Sequence, residues 1–211
     1  MAQLEARSAG SREATGSNPV RSTYKTSKAT IQIKLVNMSK IIYLAGSVPK
    51  GNEEAKFDNW RIEYKEVLKK HFQAEFIDPY DHHSYVDEND SLLVFGIDSN
   101  HIKTSDFIVV NAESKLGAGT SMEMVVAKYF KKPVVTVLPK DTYHRRSNLI
   151  FGPNHVKDWV HPFIHSFSDF IIENIVEIEK IKDKIFSSKI KTISVIDDAI
   201  KYFESSQIRN K

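Results

Sequence analysis

The sequence contains no cysteine and no apolar run long enough to cross a membrane. Without cysteine there is no disulfide, no thiolate metal site and no cysteine nucleophile. A membrane helix needs roughly 20 consecutive apolar residues, and no segment approaches that length. We therefore expect a protein of the cytoplasm that has no membrane partner.

Most of the chain also carries no excess of positive over negative charge. The 211 residues carry 30 Lys and Arg against 27 Asp and Glu, a formal net charge of +3. Residues 1–37 hold six of the basic side chains and two of the acidic ones, which leaves 24 and 25 in the remainder. Because the basic surplus belongs to the N-terminal segment alone, we expect no nucleic-acid partner for the folded part.

Metal and cofactor signatures are lacking as well. The eight histidines form no HExxH motif or comparable ligand spacing, and His82, His83 and His101 are interpreted as loop or surface residues. The glycines at 46 and 51 match neither the dinucleotide fingerprint nor a Walker loop. We expect no metal and no cofactor.

Residues 1–37 differ in composition from the rest, being rich in Ser, Thr, Ala, Gly and Arg without a sustained period. They fit a disordered arm or, less well because of two glutamates and no amphipathic face, a mitochondrial targeting peptide. A third interpretation is a non-native extension, since residues 16–22 can be encoded by DNA that resembles the 3′ end of a tRNA gene. We expect translation to start at Met38 and residues 38–211 to form a single domain.

From residue 38 onward, buried-strand patterns alternate with helix patterns. Strands are predicted at residues 41–45, 74–77, 107–110, 134–138 and 162–165. Helices are predicted at residues 53–72, 92–104, 120–132, 168–185 and 194–203. Residues 80–90 are predicted to be a polar loop, and residues 140–160 an irregular segment that acts as a flap or a subunit contact. The alternation predicts an α/β fold with a parallel sheet of about five strands and C-terminal helices.

The central unit is a strand, a glycine loop and a helix within residues 98–138. Gly117 and Gly119 are predicted to let the backbone turn and to leave room for a ligand. Thr120 or Ser121 then caps the next helix, which places Glu123 in its first turn. Because ligands of open α/β sheets bind at the carboxyl ends of the strands, Glu123 is the first candidate for a functional residue.

Polar side chains follow the other predicted strands at the same edge of the sheet. They are Tyr43 and Ser47, with the backbone of Gly46 between them, at the first strand, Asp78 and Asp81 at the second, and Asp98 on the helix before the third. Carboxylates, a phenol and backbone amides suit acid–base or nucleophilic chemistry on a polar small molecule.

Each candidate also has a structural interpretation. Thr120 and Glu123 fit a capping box, Asp98 fits a helix cap, and Tyr43 fits an ordinary core position. Residues 46–51 fit a tight turn. For Asp106, which precedes the third strand, we favour a structural role at the strand entry.

Three spaced motifs carry a family resemblance. They are Tyr-Leu-Ala-Gly-Ser at 43–47, Asp-x-x-x-Ile-x-x-Ser-Asp at 98–106 and Gly-x-Gly-Thr-x-x-Glu at 117–123. Together they resemble the nucleoside 2-deoxyribosyltransferase family, which includes the related 2′-deoxynucleoside 5′-phosphate N-hydrolases. The resemblance covers roughly residues 40–138. It implies a flavodoxin-like (Rossmann-like) doubly wound sheet, and cleavage of the N-glycosidic bond between a base and a (deoxy)ribose.

The resemblance also implies roles for individual residues. Glu123 would be the nucleophile, Asp98 would orient the sugar or help to protonate the departing base, and Tyr43 would hold Glu123 in place. The substrate-binding residues are expected to be Gly46, Ser47, Gly51, Asp78, Gly117 and Gly119. Members of the family are commonly homo-oligomers that complete one another's sites, so a dimer or larger assembly is expected.

The chemistry of the reaction agrees with these roles, because an ionised carboxylate stabilises an oxocarbenium-like transition state and can form a glycosyl-enzyme. A helix N-terminus favours the ionised carboxylate by roughly 0.3–1 kcal/mol. Gly117 stands where the transferases carry an aspartate, and residues 46–51 resemble the 5′-phosphate loop of the N-hydrolases; both favour a nucleotide hydrolase. A non-catalytic nucleotide-sensing module on the same fold is the alternative.

Overall fold

The computed structural model describes residues 39–49, 59–82 and 89–206. The first half contains strand β1 (Lys40–Ala45), helix α1 (Trp60–Lys69), strand β2 (Ala74–Ile77), the short helix α2 (Pro79–His82), helix α3 (Ser91–Thr104), strand β3 (Phe107–Asn111), helix α4 (Ala118–Tyr129) and strand β4 (Val134–Val137). The second half contains strands β5 (Arg145–Phe151) and β6 (Asn154–Val160), helix α5 (Pro162–Phe167), strand β7 (Phe170–Ile172), a 3₁₀ turn (Ile175–Glu177), and helices α6 (Ile178–Ile185) and α7 (Val195–Ser205).

Five of the strands form one parallel sheet in the order β2-β1-β3-β4-β7. In a doubly wound sheet of this order, the strand order reverses between β1 and β3 while all strands stay parallel, and the crevice at that point is the usual ligand site. Tyr43 lies in β1 next to this point, paired with Ile77 of β2 on one side and Ile108 of β3 on the other. The predicted flavodoxin-like α/β fold is confirmed.

Different helices cover the two faces of the sheet. On one face, Ile42 and Leu44 of β1 pack in a buried cluster with Tyr64 and Leu68 of α1 and with residues of α6. On the other face, Tyr43 and Ala45 pack in a second cluster with residues of α3, α4 and α5. Alternation along β1 therefore directs the phenol of Tyr43 toward α3 and α4, the helices that carry Asp98 and Glu123.

A buried ion pair attaches α4 to the fifth strand. Lys128 of α4 contacts the carboxylate of Asp169, and the two side chains are 0% and 4% exposed. The same carboxylate accepts hydrogen bonds from the backbone N–H groups of Val134 (2.8 Å) and Lys191 (2.7 Å). Burial lowers the pKa of Lys128, and the charge of Asp169 opposes this shift. One carboxylate thus connects α4, β4 and the segment that precedes α7.

Most predicted elements of the first half are confirmed, but the second half requires corrections. Residues 140–160 were expected to be irregular, and instead contain an antiparallel hairpin formed by β5 and β6. Residues 162–165 were expected to be a strand, but Pro162 occupies the first turn of α5 and the fifth strand is β7. The helix predicted at 168–185 is confined to α6, and part of the predicted loop at 80–90 is α2.

None of the helices in the described part of the chain is long and apolar enough to span a membrane. Residues 1–37 and Met38 lie outside the described residues, so the predicted N-terminal extension and start site stay predictions.

Candidate active site

The candidate site is centred on a hydrogen bond between Tyr43 and Glu123. The hydroxyl of Tyr43 donates to Oε1 of Glu123 at 2.8 Å, joining residues 80 positions apart in the chain. Tyr43 is fully buried in β1, whereas Glu123 is half-buried on α4. A phenol that donates to a carboxylate stabilises its ionised form and restricts its orientation.

Asp98 belongs to the same group of side chains. It lies half-buried in the middle of α3. The pKa of the Tyr43 phenol is raised well above its usual value, first by burial, and then by the negative charges of Glu123 and Asp98. Tyr43 therefore remains a neutral hydrogen-bond donor between two carboxylates.

The start of α4 differs from the sequence-based expectation. Its N-cap is Gly117, and Thr120 is already the third residue of the helix. Neither Thr120 nor Ser121 is therefore the cap, and the predicted capping box of Thr120 and Glu123 is wrong. Glu123 is the sixth helical residue and lies in the second turn. Since the effect of the helix dipole falls off within the first turn, it stabilises the Glu123 carboxylate less than expected.

Gly117 and Gly119 leave open space beside this helix start. Gly117 has a φ of −74° and a ψ of 167°, which any residue can adopt, so the turn does not depend on glycine. A Cβ added at either position would meet no heavy atom within 4 Å. Both positions are exposed. The absence of side chains at the two glycines leaves open space at the start of the helix that carries Glu123, and no unusual backbone conformation at Gly117 requires a glycine.

The structure tests the structural roles that the sequence suggested for Asp98 and Asp106. The cap of α3 is Asp90, whose side chain accepts a hydrogen bond from the N–H of Leu93 at 2.9 Å, so Asp98 is not a helix cap. Asp106 accepts a hydrogen bond from the N–H of Ile41 at 2.8 Å. The structural role expected for Asp106 at the strand entry is confirmed.

The side chain of Asp78 is paired with two basic side chains of the protein. Its side chain is 1% exposed and lies 2.8 Å from Nε of Arg61 and 2.7 Å from Nζ of Lys65. It also accepts a hydrogen bond from the N–H of Tyr80 at 3.0 Å. These contacts give Asp78 a structural role in holding Arg61, and a direct contact with substrate is less consistent with its burial.

Arg61 is the main site residue that sequence reasoning missed. Arg61 is fully buried. Burial lowers the pKa of its guanidinium, and the negative charge of Asp78 is the largest effect that raises this pKa. Its side chain donates to the carbonyl oxygens of Ser47 at 2.9 Å and Gly46 at 3.1 Å. A signal was present, because Arg61 lies three residues before Tyr64 on the buried side of α1.

Gly46 is required for the close packing of this loop. A Cβ at position 46 would lie 2.5 Å from Cζ2 of Trp60. The indole is held by Arg61, which stacks on it at 4.3 Å, and by Tyr64, whose ring centroid lies 4.6 Å away. Ser47 is exposed beside it, and Gly51, the remaining predicted loop residue, lies outside the described residues.

Replacing Gly46 by alanine is expected to lower the free energy of unfolding by about 1–3 kcal/mol, because the added methyl group overlaps the held indole. Urea unfolding followed by tryptophan fluorescence measures this change. Gly96→Ala is the matched control: position 96 lies in α3 with nothing within 4 Å, so alanine there should stabilise by about 0.5–1 kcal/mol. Equal effects of the two substitutions would contradict the packing role of Gly46.

Metal chemistry has no support among the residues that the structure describes. No group of three or more His, Asp or Glu side chains there is arranged to hold a metal ion. The polar groups gathered at the candidate site are two carboxylates, one phenol and the backbone near Gly46 and Gly117.

Comparison with known proteins gives solved structures but no sequence family. No protein-family model and no curated protein matches the chain. Similar solved structures include a 2-deoxyribosyltransferase from Bacillus psychrosaccharolyticus (18% identity, TM-score 0.46, 72% of this chain and 98% of that chain). They also include a 2-desoxiribosyltransferase from Leishmania mexicana (16%, 0.38, 80% and 99%) and a CMP N-glycosidase from Clostridium botulinum (17%, 0.40, 69% and 99%). Similarity at this level assigns no function to this chain.

Proposed function

We propose that residues 38–211 form an enzyme that cleaves the N-glycosidic bond of a nucleoside or nucleoside 5′-monophosphate, with Glu123 as the nucleophile. The observation that carries the proposal is the hydrogen bond from Tyr43 to Glu123. It orients a half-buried carboxylate at the sheet edge where ligands of this fold bind. The three motifs that resemble the nucleoside 2-deoxyribosyltransferase family supply these same residues.

In the proposed reaction, a carboxylate oxygen of Glu123 attacks the anomeric carbon as the bond to the base breaks. The bonding pair leaves with the base, which takes up a proton, and Asp98 assists by donating it or by orienting the sugar. The covalent glycosyl ester is then resolved by water, which completes a hydrolysis, or by a second base, which completes a transfer. Tyr43 stays neutral throughout and keeps the carboxylate in place.

The loop after β1 supports a 5′-monophosphate as the substrate. Arg61 holds the carbonyl oxygens of Gly46 and Ser47. In a trans peptide, the N–H points opposite to the carbonyl, so the N–H groups of Ser47 and Val48 point away from the guanidinium. Successive N–H groups of this kind suit an anion such as a phosphate.

The proposed enzyme is a cytoplasmic homo-oligomer. Large apolar side chains are exposed on α3 and α4, next to the candidate site: Leu92, Leu93, Phe95, Met122 and Tyr129. A second copy of the chain is a natural cover for such a surface.

Base release from a substrate panel tests the proposed function. Protein that begins at Met38 is incubated with nucleosides and their 5′-monophosphates, with and without a second base, and free base is followed by chromatography. Release from monophosphates without an acceptor supports a hydrolase, and exchange only with an acceptor supports a transferase. Ligand binding without any turnover contradicts the proposal and supports the nucleotide-sensing alternative.

A further inference from the structure

His144 connects the segment after β4 to the loop that leads into α4. Its side chain is only 8% exposed, and its Nε2 atom accepts a hydrogen bond from the backbone N–H of Leu116 at 2.9 Å. Leu116 immediately precedes Gly117, the N-cap of α4. Because only an unprotonated ring nitrogen can accept this bond, His144 is neutral and carries its proton on Nδ1.

The start of α4 transmits this contact to the helix. The carbonyl oxygen of Gly117 accepts hydrogen bonds from both the N–H and the hydroxyl of Ser121, at 3.2 and 3.0 Å. Ser121 lies two residues before Glu123. The position of Leu116 therefore constrains the first turn of the helix that carries the proposed nucleophile.

The surroundings of His144 oppose a second proton on its ring. The titratable and charged groups that face it are Lys115 from the loop, His161 from the segment before α5, and the neighbouring Tyr143. The rings of His144 and His161 are 5.6 Å apart and nearly perpendicular. Burial is the main cause that lowers the pKa of His144 below its usual 6.5, and His161 and Lys115 lower it further.

We propose that His144 is a positioning residue, which fixes the loop at residues 113–117 through the Leu116 N–H and releases it when the ring is protonated. A protonated ring presents an N–H to the N–H of Leu116, so the two donors repel and the loop has to move. The inference rests on the proposed function, because the helix that His144 positions carries Glu123.

The sign of the pH dependence follows from the lowered pKa. Well above pH 6.5 the ring is neutral in both the folded and the unfolded chain, and the contact contributes its full stability. As the pH falls below 6.5, the unfolded chain takes up a proton before the folded one does, and this stability is lost. We expect kcat to fall on the same acid side, while KM changes less.

Kinetics of three variants test the positioning role. His144→Leu removes the acceptor and is expected to lower kcat about tenfold or more at pH 7.5. His144→Gln places a non-titrating oxygen where Nε2 lies, so it should retain kcat within about threefold and lose the acid fall that His144 causes. His161→Gln is the matched control. It removes a group whose charge opposes the protonation of His144, so the acid fall should remain but shift to higher pH.

The amide of Leu116 gives a readout that does not depend on activity. In NMR spectra of the full chain, we expect its chemical shift to follow the titration of the His144 ring, and its exchange protection to fall in His144→Leu but not in His144→Gln. If no substrate is cleaved while this titration is seen, the proposed function fails and the loop contact stands. A Leu116 amide that ignores the titration of His144, or wild-type kcat in His144→Leu, overturns the inference.

Discussion

Replacing Glu123 by glutamine is expected to lower the rate of base release by at least about 10³-fold, the scale seen when a nucleophile is removed. The amide has nearly the same shape as the carboxylate and still accepts the hydrogen bond from Tyr43, so the fold should be unaffected. It cannot form the glycosyl ester or stabilise positive charge at the anomeric carbon. The measurement is the initial rate of base release, together with the unfolding midpoint of each protein.

Two further substitutions separate the nucleophile from its surroundings. Glu113→Gln changes the nearest upstream acid, which is exposed and accepts a hydrogen bond from Asn111; it should leave the rate within about threefold, on the scale expected of a group outside the reaction. Tyr43→Phe keeps the ring but frees the carboxylate to rotate, and roughly a tenfold to hundredfold loss is expected. A loss for Glu113→Gln as large as for Glu123→Gln would show that the nucleophile is assigned wrongly.

Replacing Asp169 by alanine is expected to lower the free energy of unfolding by about 3–5 kcal/mol, because it leaves the fully buried Lys128 without its counter-charge. For a domain of this size, the melting temperature should fall by about 6–20 °C. Two backbone N–H groups, those of Val134 and Lys191, lose their acceptor at the same time. Calorimetry or thermal unfolding followed by circular dichroism measures the shift.

Asp158→Ala is the control for this prediction. Asp158 also pairs with an arginine, Arg145, through two hydrogen bonds of 2.8 Å, but its side chain is 46% exposed. An exposed pair contributes at most about 1 kcal/mol, so the melting temperature should change little. Equal losses for the two variants would mean that burial does not set the strength of the Lys128–Asp169 pair.

The three central strands of the sheet could be predicted from the sequence because they are largely buried on both faces. β1, β3 and β4 are short runs of predominantly apolar residues, mainly β-branched in β3 and β4, and such runs leave few alternatives. β7 has only three residues, too few to show a period. The hairpin has no clear apolar alternation because many of its side chains are exposed, although Gly152, with a φ of +54°, marked its turn.

The sequence motifs pointed to three polar side chains of the candidate site, but not to the long-range contacts around them. The motifs led to Tyr43, Asp98 and Glu123, and the structure brings these three together. The periodicity of α1 does not reveal that Arg61 binds the carbonyl oxygens of Gly46 and Ser47 in the loop after β1. Nor does it reveal that His144 meets the amide of Leu116, 28 residues earlier in the chain.

The buried pair between Lys128 and Asp169 has a consequence for how the molecule responds to heat. The hydration of charged groups becomes less favourable as temperature rises, so the cost of burying these two ions falls while hydrophobic stabilisation per unit area levels off. The attachment of α4 to β4 and β7 should therefore weaken less on warming than the apolar packing around it. Glu123 lies on that same helix, so the part of the molecule that holds the proposed nucleophile gains in relative strength at higher temperature.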